Sequence, residues 1–427
     1  MNPEKIRVLF FRILARLPSV NRNIIFKALT KMRFHLFKNN FNYDFQKKIN
    51  NPSKVYWISP KRITRCLSLE DWEGYFNSEE IRRTTVDCKW DQSNLAIINN
   101  LNVYEAYRKR IKEGIEWQDT AYYKRTLKQV KQGKHLFNIN NKTDLDEHCK
   151  HLEALYQNIK NQGCRLNRDI YNKNDNFGEI DVNIGRNGEF ILGDGLHRFA
   201  IANILEIDHV PVKVFVRHKQ WQDFRNFLLS YVSYLGGQLY QPPIHPDLED
   251  IPHYMVQQKF WKAIEPQLLK RNSGIMLDIG ANIGFFCHMF EDLGYRCYAI
   301  EQDPQLCEIM EKIKIAENKN FQIINNSIFD FKLIANTSFD VVLALNIFHH
   351  FLKTEKSYFQ LINLLEIMDT NELYFSCARF DEEQMKNAYM RYTDNEFVNF
   401  IMEHTPLSKS KLLYTSKSGR CLFKLYK

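Results

Sequence analysis

From Gly274 onward the chain alternates short apolar runs with helical stretches, and that texture admits little besides a doubly wound, mostly parallel α/β sheet. The runs are GIMLDIG (274–280), YRCYAIE (295–301), FQIINN (321–326), SFDVVLALN (338–346) and ELYFSCA (372–378). Between them, ANIGFFCHMFEDLG reads as a helix closed by Gly294, a second helix runs from Pro304 to Ala316, and a third spans 353–368. The closing KLLYTSKSGRCLFKLYK reads as a hairpin around Lys417, Ser418 and Gly419. Ligands in such sheets bind beyond the carboxyl ends of the strands, and the unusual residues of this chain fall there.

Asp278 and Gly280 end the first run, and the turn continues Ala281-Asn282-Ile283-Gly284. Two positions without side chains let the backbone come close to a ligand, a carboxylate stands beside them, and the next helix aims its N–H groups at the same place. Glu301 ends the second strand about twenty residues on, where a carboxylate can accept both hydroxyls of a ribose. Nicotinamide dinucleotides and S-adenosylmethionine are both held by this layout. The dinucleotide fingerprint GxGxxG is absent, because no second glycine admits a pyrophosphate.

At these residues the chain resembles the class I S-adenosylmethionine-dependent methyltransferases, and LDIGANIGFF followed by AIEQDP is most similar to the FkbM-type subgroup. The resemblance covers 271–427 and includes FDVVLALN. It implies a Rossmann-like sheet in which Asp278, Gly280, Asn282 and Gly284 line the methionyl and ribose part of the cofactor. It further implies that Glu301 holds the ribose, Gln302 flanks the adenine, and Asn326 or Ser327 lies at the adenine edge. Asn346, His349 and His350 follow the fourth strand, where such enzymes touch methyl donor and acceptor. Methyl transfer needs in-line alignment above all, but a hydroxyl acceptor gains from a base, which His349 or His350 could supply. A hydrogen-bonded structural role is the other reading of the histidine pair.

Residues 50–225 have an α+β texture, opening with VYWISPKRI (55–63) as a strand that leads into a proline turn. Two strands joined at Arg186-Asn187-Gly188 read as a hairpin, Asp194-Gly195-Leu196-His197-Arg198 opens a helix, and VPVKVFV returns as a strand. A glycine-led helix start flanked by His197 and Arg198 is a candidate phosphate cradle. This stretch resembles the ParB/sulfiredoxin-like nucleotide-binding fold, and the resemblance implies ATP or CTP with magnesium. Gly195, His197 and Arg198 would then meet phosphates, and Asp194 would position magnesium or a hydroxyl. Unlike sulfiredoxin, the turn holds no cysteine, and the paired arginines of chromosome-partitioning proteins are missing. The same fold without a nucleotide is the alternative. Trp72, Trp90 and Trp117 read as packing residues. Residues 226–270, with Gly236-Gly237 and Pro242, Pro243, Pro246 and Pro252, read as a helical connection.

Charge is concentrated at the start. Residues 1–43 hold nine Lys and Arg against Glu4 alone, which accounts for nearly all of the formal net charge of +9. Apolar residues such as Ile6, Phe10, Ile13, Leu17, Ile24 and Leu29 interleave with these cations, so 1–49 reads as a basic amphipathic helical segment broken near Pro18. Such a segment either lies on an anionic membrane surface, meets a partner, or packs on the body of the protein. The near-neutral remainder argues against extensive nucleic-acid contact, which needs clustered cations. The nine cysteines include no CxxC pair and no zinc spacing, so they read as reduced thiols and no metal is expected. No apolar run approaches the roughly eighteen residues that cross a bilayer. The expected location is the cytoplasm, with 1–43 able to bring the chain to the inner membrane surface.

The expected organisation is therefore a basic segment (1–49), a ParB/sulfiredoxin-like α+β domain (50–225), a helical connection (226–270) and a class I methyltransferase domain (271–427). The leading functional reading is transfer of a methyl group from S-adenosylmethionine to a hydroxyl of a small molecule or glycan. One alternative makes the middle domain a nucleotide-binding or kinase-like unit with the C-terminal domain as helper. Another is a non-enzymatic membrane-surface adaptor.

Overall fold

Runs of β-branched and aromatic residues, cut at Gly, Pro and Asn, sort the chain into two sheets. The computed structural model describes residues 54–67, 85–92, 95–133, 139–166, 179–268 and 273–427, so the basic segment 1–49 and Trp72 lie outside the described residues. The first sheet comprises β1 (Val55–Ile58), β2 (Ile63–Cys66), β3 (Thr85–Val86), β4 (Ala96–Ile97), β5 (Ile180–Ile184), β6 (Phe190–Asp194) and β7 (Val210–His218). Their order is β1-β7-β5-β6-β2-β4, with β3 beside β7. β5 and β6 form the expected antiparallel hairpin, and β5 runs parallel to β7.

Helices α1 (Asn102–Arg108), α2 (Ala121–Lys131), α3 (Lys142–Gln162) and α4 (Leu196–Ile204) belong to this sheet. Their Tyr107, Leu145, Leu152 and Phe199 share one apolar core with Val182, Ile184 and Val212. Trp90 and Trp117 are buried, as packing residues should be. Helix α5 (Lys219–Tyr234) runs straight through the expected boundary at residue 225, because Trp221, Leu228, Leu229 and Val232 pack into the same core.

The second half contains α6 (Val256–Leu268), β8 (Gly274–Ile279), α7 (Phe285–Asp292), β9 (Tyr295–Glu301), α8 (Pro304–Ala316), β10 (Gln322–Asn325) and β11 (Phe339–Leu345). It continues with α9 (Phe348–Phe351), α10 (Glu355–Ile367), β12 (Thr370–Ser376), α11 (Asp394–Glu403), β13 (Lys409–Thr415) and β14 (Cys421–Tyr426). The strand order is β10-β9-β8-β11-β12-β14-β13. Every pairing from β10 to β12 is parallel, while β14 is antiparallel to both neighbours. The chain winds outward from β8 in both directions, and in sheets of this order the ligand crevice belongs at the carboxyl ends of strands such as β8, β9 and β11. Local chemistry sets the helix starts nearby. Asp303 accepts from Gln305 N–H at 2.8 Å ahead of Pro304, and Thr393 with Glu396 forms a capping box on α11.

The two sheets are joined by more than a linker. Ile283 of the first turn and Ile309 and Ile313 of α8 pack into the core of the first sheet. Lys312 donates to the Arg186 carbonyl at 2.9 Å, and Arg62 pairs with Glu317. Gly188, at φ 92°, lies so close to both units that a Cβ there would meet Trp221 at 2.5 Å and Ala316 at 2.6 Å. The connection after α5 is pinned by fully buried Asp247, which bonds Arg217 at 2.6 Å, Arg225 at 3.5 Å and the Trp221 indole N–H at 2.9 Å. Burial alone would raise the Asp247 pKa, but the two guanidiniums hold it well below the usual carboxylate range. Asp247→Ala leaves buried guanidiniums short of their counter-ion and should lower stability by about 3–5 kcal/mol, read from urea unfolding. A loss below about 1 kcal/mol would show that the strap is held by apolar contacts alone.

Candidate functional site

The turn after β8 is folded back onto β9 by its own backbone. Gly280 N–H and Ala281 N–H both donate to the Ile300 carbonyl at 2.9 Å, which draws Asp278 and Glu301 to the same rim. Glu301 then ties two loops together: its Oε2 accepts from Asn282 N–H at 3.0 Å and its Oε1 from Asp303 N–H at 2.9 Å. Asn282 is left-handed at φ 56°, a conformation that asparagine tolerates better than most residues.

Sequence reasoning gave the turn glycines to ligand approach, but the structure puts protein atoms against them. A Cβ on Gly280 would meet Ile347 at 3.0 Å, and one on Gly284 would meet Met310 at 2.8 Å. Both glycines also have positive φ, 74° and 83°. The turn needs them for its own conformation and for packing on β11 and α8. The start of α7 is capped from outside, by Gln241 of the connection, whose Oε1 accepts from Phe285 N–H at 3.1 Å.

Two buried carboxylates share this rim with no cation paired to either among the described residues. Burial, then the neighbouring Glu301, pushes the Asp278 carboxyl up to about 8. Burial also raises Glu301, against the N–H bonds from Asp303 and Asn282 that lower it. The pair is poised to take a positively charged ligand.

On the other side of β8, the rim of β11 carries Asn346, also left-handed at φ 57°. Its N–H donates to the Ser376 carbonyl at 2.7 Å, and its Oδ1 accepts from Arg420 at 3.3 Å. His349 is buried, and its Nδ1 accepts from Ala378 N–H at 3.3 Å. That bond leaves the proton on Nε2, and burial with the nearby cations pushes the pKa down to about 3, so the ring is a neutral donor here. His350 is exposed, and its Nδ1 faces the Lys353 ammonium at 3.3 Å, which again leaves Nε2 protonated. The expected base at this pair thus meets two rings held as donors.

The remaining expected cofactor residues are more open. Gln302 is exposed, Asn326 accepts from Ser327 N–H at 2.9 Å, and Ser327 Oγ accepts from Phe329 N–H at 3.3 Å. Asn325 ties β10 to β9 by donating to the Glu301 carbonyl at 3.0 Å.

In the first sheet the expected phosphate turn is oriented differently from that reading. Arg198 is buried and bonds Glu179 at 3.0 Å and the Arg165 carbonyl. A Cβ on Gly195 would meet the Glu179 carbonyl oxygen at 2.7 Å, so this glycine serves packing against β5. Asp194 is exposed and accepts from Gly195 N–H, while His197 Nδ1 lies 3.3 Å from the Tyr107 hydroxyl and its pKa is lowered to about 4 by burial. The guanidinium and the glycine are committed to the protein itself. Among the described residues no group of three or more His, Cys, Asp or Glu is arranged to hold a metal ion, and no helix is long and apolar enough to cross a membrane.

A family profile described as a methyltransferase domain matches residues 277–365, which is the stretch from the Asp278 turn to α10. A curated rRNA adenine N-6-methyltransferase of Limosilactobacillus reuteri is 41% identical over 76 residues, covering 17% of this chain and 29% of that protein. The chain thus spans under a third of the curated relative it matches. Among solved structures, the bifunctional kinase-methyltransferase WbdD aligns at a TM-score of 0.38 and 16% identity, covering 47% of this chain and 46% of that one. The N-methyltransferase NodS of Bradyrhizobium japonicum aligns at 0.33 and 13% identity, covering 40% and 96%. These are distant likenesses that bear on neither substrate nor partner.

The Asp278 carboxyl gives this region a pH signature. In the unfolded chain the proton leaves near pH 3.9, roughly, but in the folded chain it stays until about pH 8. Stability therefore falls as pH rises across that window, because the unfolded state binds fewer protons. Asp278→Asn removes the slope. The stability of the variant relative to the parent should grow between about pH 4 and pH 8 in urea midpoints, and a constant difference across that range would refute the assignment.

Proposed function

We propose that the chain is an S-adenosylmethionine-dependent methyltransferase acting on a hydroxyl of a small molecule or glycan. The observation that carries this reading is the Asp278 and Glu301 pair, two buried carboxyl groups with no cation paired to them among the described residues, at strand ends inside the region that matches a methyltransferase-domain profile. The residues fit such a cofactor in a second respect. Among the described residues both amide atoms of Gln257 and the Ser376 hydroxyl are buried without a hydrogen-bond partner, and Ser376 borders Asn346 at the end of β11, a ready set of polar contacts. When bound, the cofactor supplies an electrophilic methyl group on a positively charged sulfur.

The chain's own residues do the rest. Glu301 keeps lone pairs for ribose hydroxyls while holding Asn282 N–H, so ribose recognition and turn geometry depend on one side chain. Asp278 gives up its proton and places negative charge beside a cationic ligand. His349, fixed by Ala378, presents an Nε2 donor that orients an acceptor hydroxyl rather than deprotonating it, and the proton that hydroxyl loses passes to solvent. The relative's adenine in rRNA is a less suitable acceptor here, since nearly all of the chain's net positive charge lies in residues 1–43. The first sheet serves as a ParB/sulfiredoxin-like scaffold that presents the connection to the crevice.

Isothermal titration tests this. S-adenosylmethionine and its demethylated product should bind the full chain, and Glu301→Ala should weaken both at least tenfold, while Arg198→Ala leaves them unchanged. Below about pH 8 binding should release protons, so the heat should vary with the ionisation enthalpy of the buffer. ATP with magnesium should give no heat. Absence of binding by either methyl-donor ligand would overturn the proposal.

A further inference from the structure

Helix α6 brings to the crevice a side chain that no sequence motif marks. Gln257 sits in its first turn, 2% exposed, and among the described residues neither amide atom has a partner within hydrogen-bond distance, Tyr240 being a polar neighbour. Its neighbours Val256 and Phe260 pack with Phe285 and Leu345 in one apolar cluster, so the amide lies in a dry surround near the end of β11. A buried amide with both donor and acceptor unmet is costly, and it persists where something else satisfies it. Tyr240, from the strap before α6, lies beside the Gln257 and Asn346 amides and the Arg420 guanidinium. Burial raises the Tyr240 pKa, which keeps the phenol protonated and able to donate.

We propose that Gln257, assisted by Tyr240, binds the amino-acid end of the methyl donor, its Nε2–H and the phenol donating to the carboxylate and its Oε1 accepting from the ammonium. This rests on the methyl-donor reading above. Glu301 marks the ribose on the β9 side of β8, so a ligand extending from there across β8 brings its other end toward β11, where Gln257, Tyr240 and Asn346 meet. A zwitterion is the chemistry that uses both halves of an amide at once. The strap places these residues through Gln241 on Phe285 N–H and Asp247 on Arg217. The first unit of the chain thereby shapes the cofactor site of the second.

The discriminating probe is 5′-methylthioadenosine, which keeps the adenosine and the sulfur but lacks the amino-acid end. In titrations on the full chain, Gln257→Leu should weaken S-adenosylmethionine and S-adenosylhomocysteine at least tenfold and leave methylthioadenosine within twofold of the parent. Thermal unfolding of the ligand-free variant should be unchanged or higher, since an unpaired buried amide has been removed; this separates a binding role from a structural one. Tyr240→Phe should give a smaller loss in the same direction. Equal weakening of all three ligands, or no weakening of any, would overturn the assignment, and the second result would be expected if an ordered water alone satisfies the amide. A parent protein that binds methylthioadenosine and S-adenosylmethionine with no measurable affinity would instead overturn the methyl-donor reading itself.

Discussion

Glu301 is the group on which the crevice depends. A carboxylate that accepts one N–H from the β8 turn and another from the β9 turn fixes two loops against each other, and charge-assisted bonds of this kind are about twice as strong as neutral ones. Because the same side chain is buried beside Asp278, holding the loops also raises the energy of the ligand-free rim. The rim is therefore pre-formed, with a proton held on Asp278 beside the Glu301 carboxylate. That combination favours a cation that arrives with hydroxyls, since it takes the place of the Asp278 proton and uses the lone pairs left on Glu301.

Much of the second sheet was legible because its punctuation is strong. YRCYAIE and the helix Pro304–Ala316 coincide with β9 and α8, since a glycine, an Asp cap and a proline at the first helical position leave little freedom in where they end. β12 runs two residues earlier than ELYFSCA suggests, because Thr370 pairs with Phe339 and carries the ladder into a polar start that hydropathy does not mark. Asp278, Asn282 and Glu301 lie together at the carboxyl ends of β8 and β9, while Asn346 ends β11 on the other side of β8 and Gly284 packs on α8. The left-handed Asn282 and Asn346 had a readable signal, asparagine directly after a strand, which was assigned to ligand contact without its backbone meaning.

What sequence could not convey is direction. The DGxHR spacing places Arg198 at a helix start, but its guanidinium turns toward Glu179, nineteen residues upstream. The tautomers of His349 and His350 follow from Ala378 and Lys353, contacts that no spacing rule contains. Gln241, Tyr240 and Gln257 lie in a proline-rich connection and an ordinary amphipathic helix, and their value appears only when the chain brings Gln241 to Phe285 across forty-four positions. Residues that serve a site from outside its motif are invisible to motif reading for that reason.

The connection also explains why two sheets of different texture behave as one. An ion network buried around Asp247 is weak evidence for stability, since apolar packing often does as well, but it specifies position sharply. Here the positioned object is the strap that carries Tyr240 and Gln241, and the apolar contacts of Ile283, Ile309 and Ile313 fix the opposite side of the same turn. A turn gripped from both sides by a neighbouring unit has few alternative conformations. Preorganisation of the rim is thus a property of the joined pair of sheets, and residues 277–365 taken alone would lack the Gln241 cap on α7.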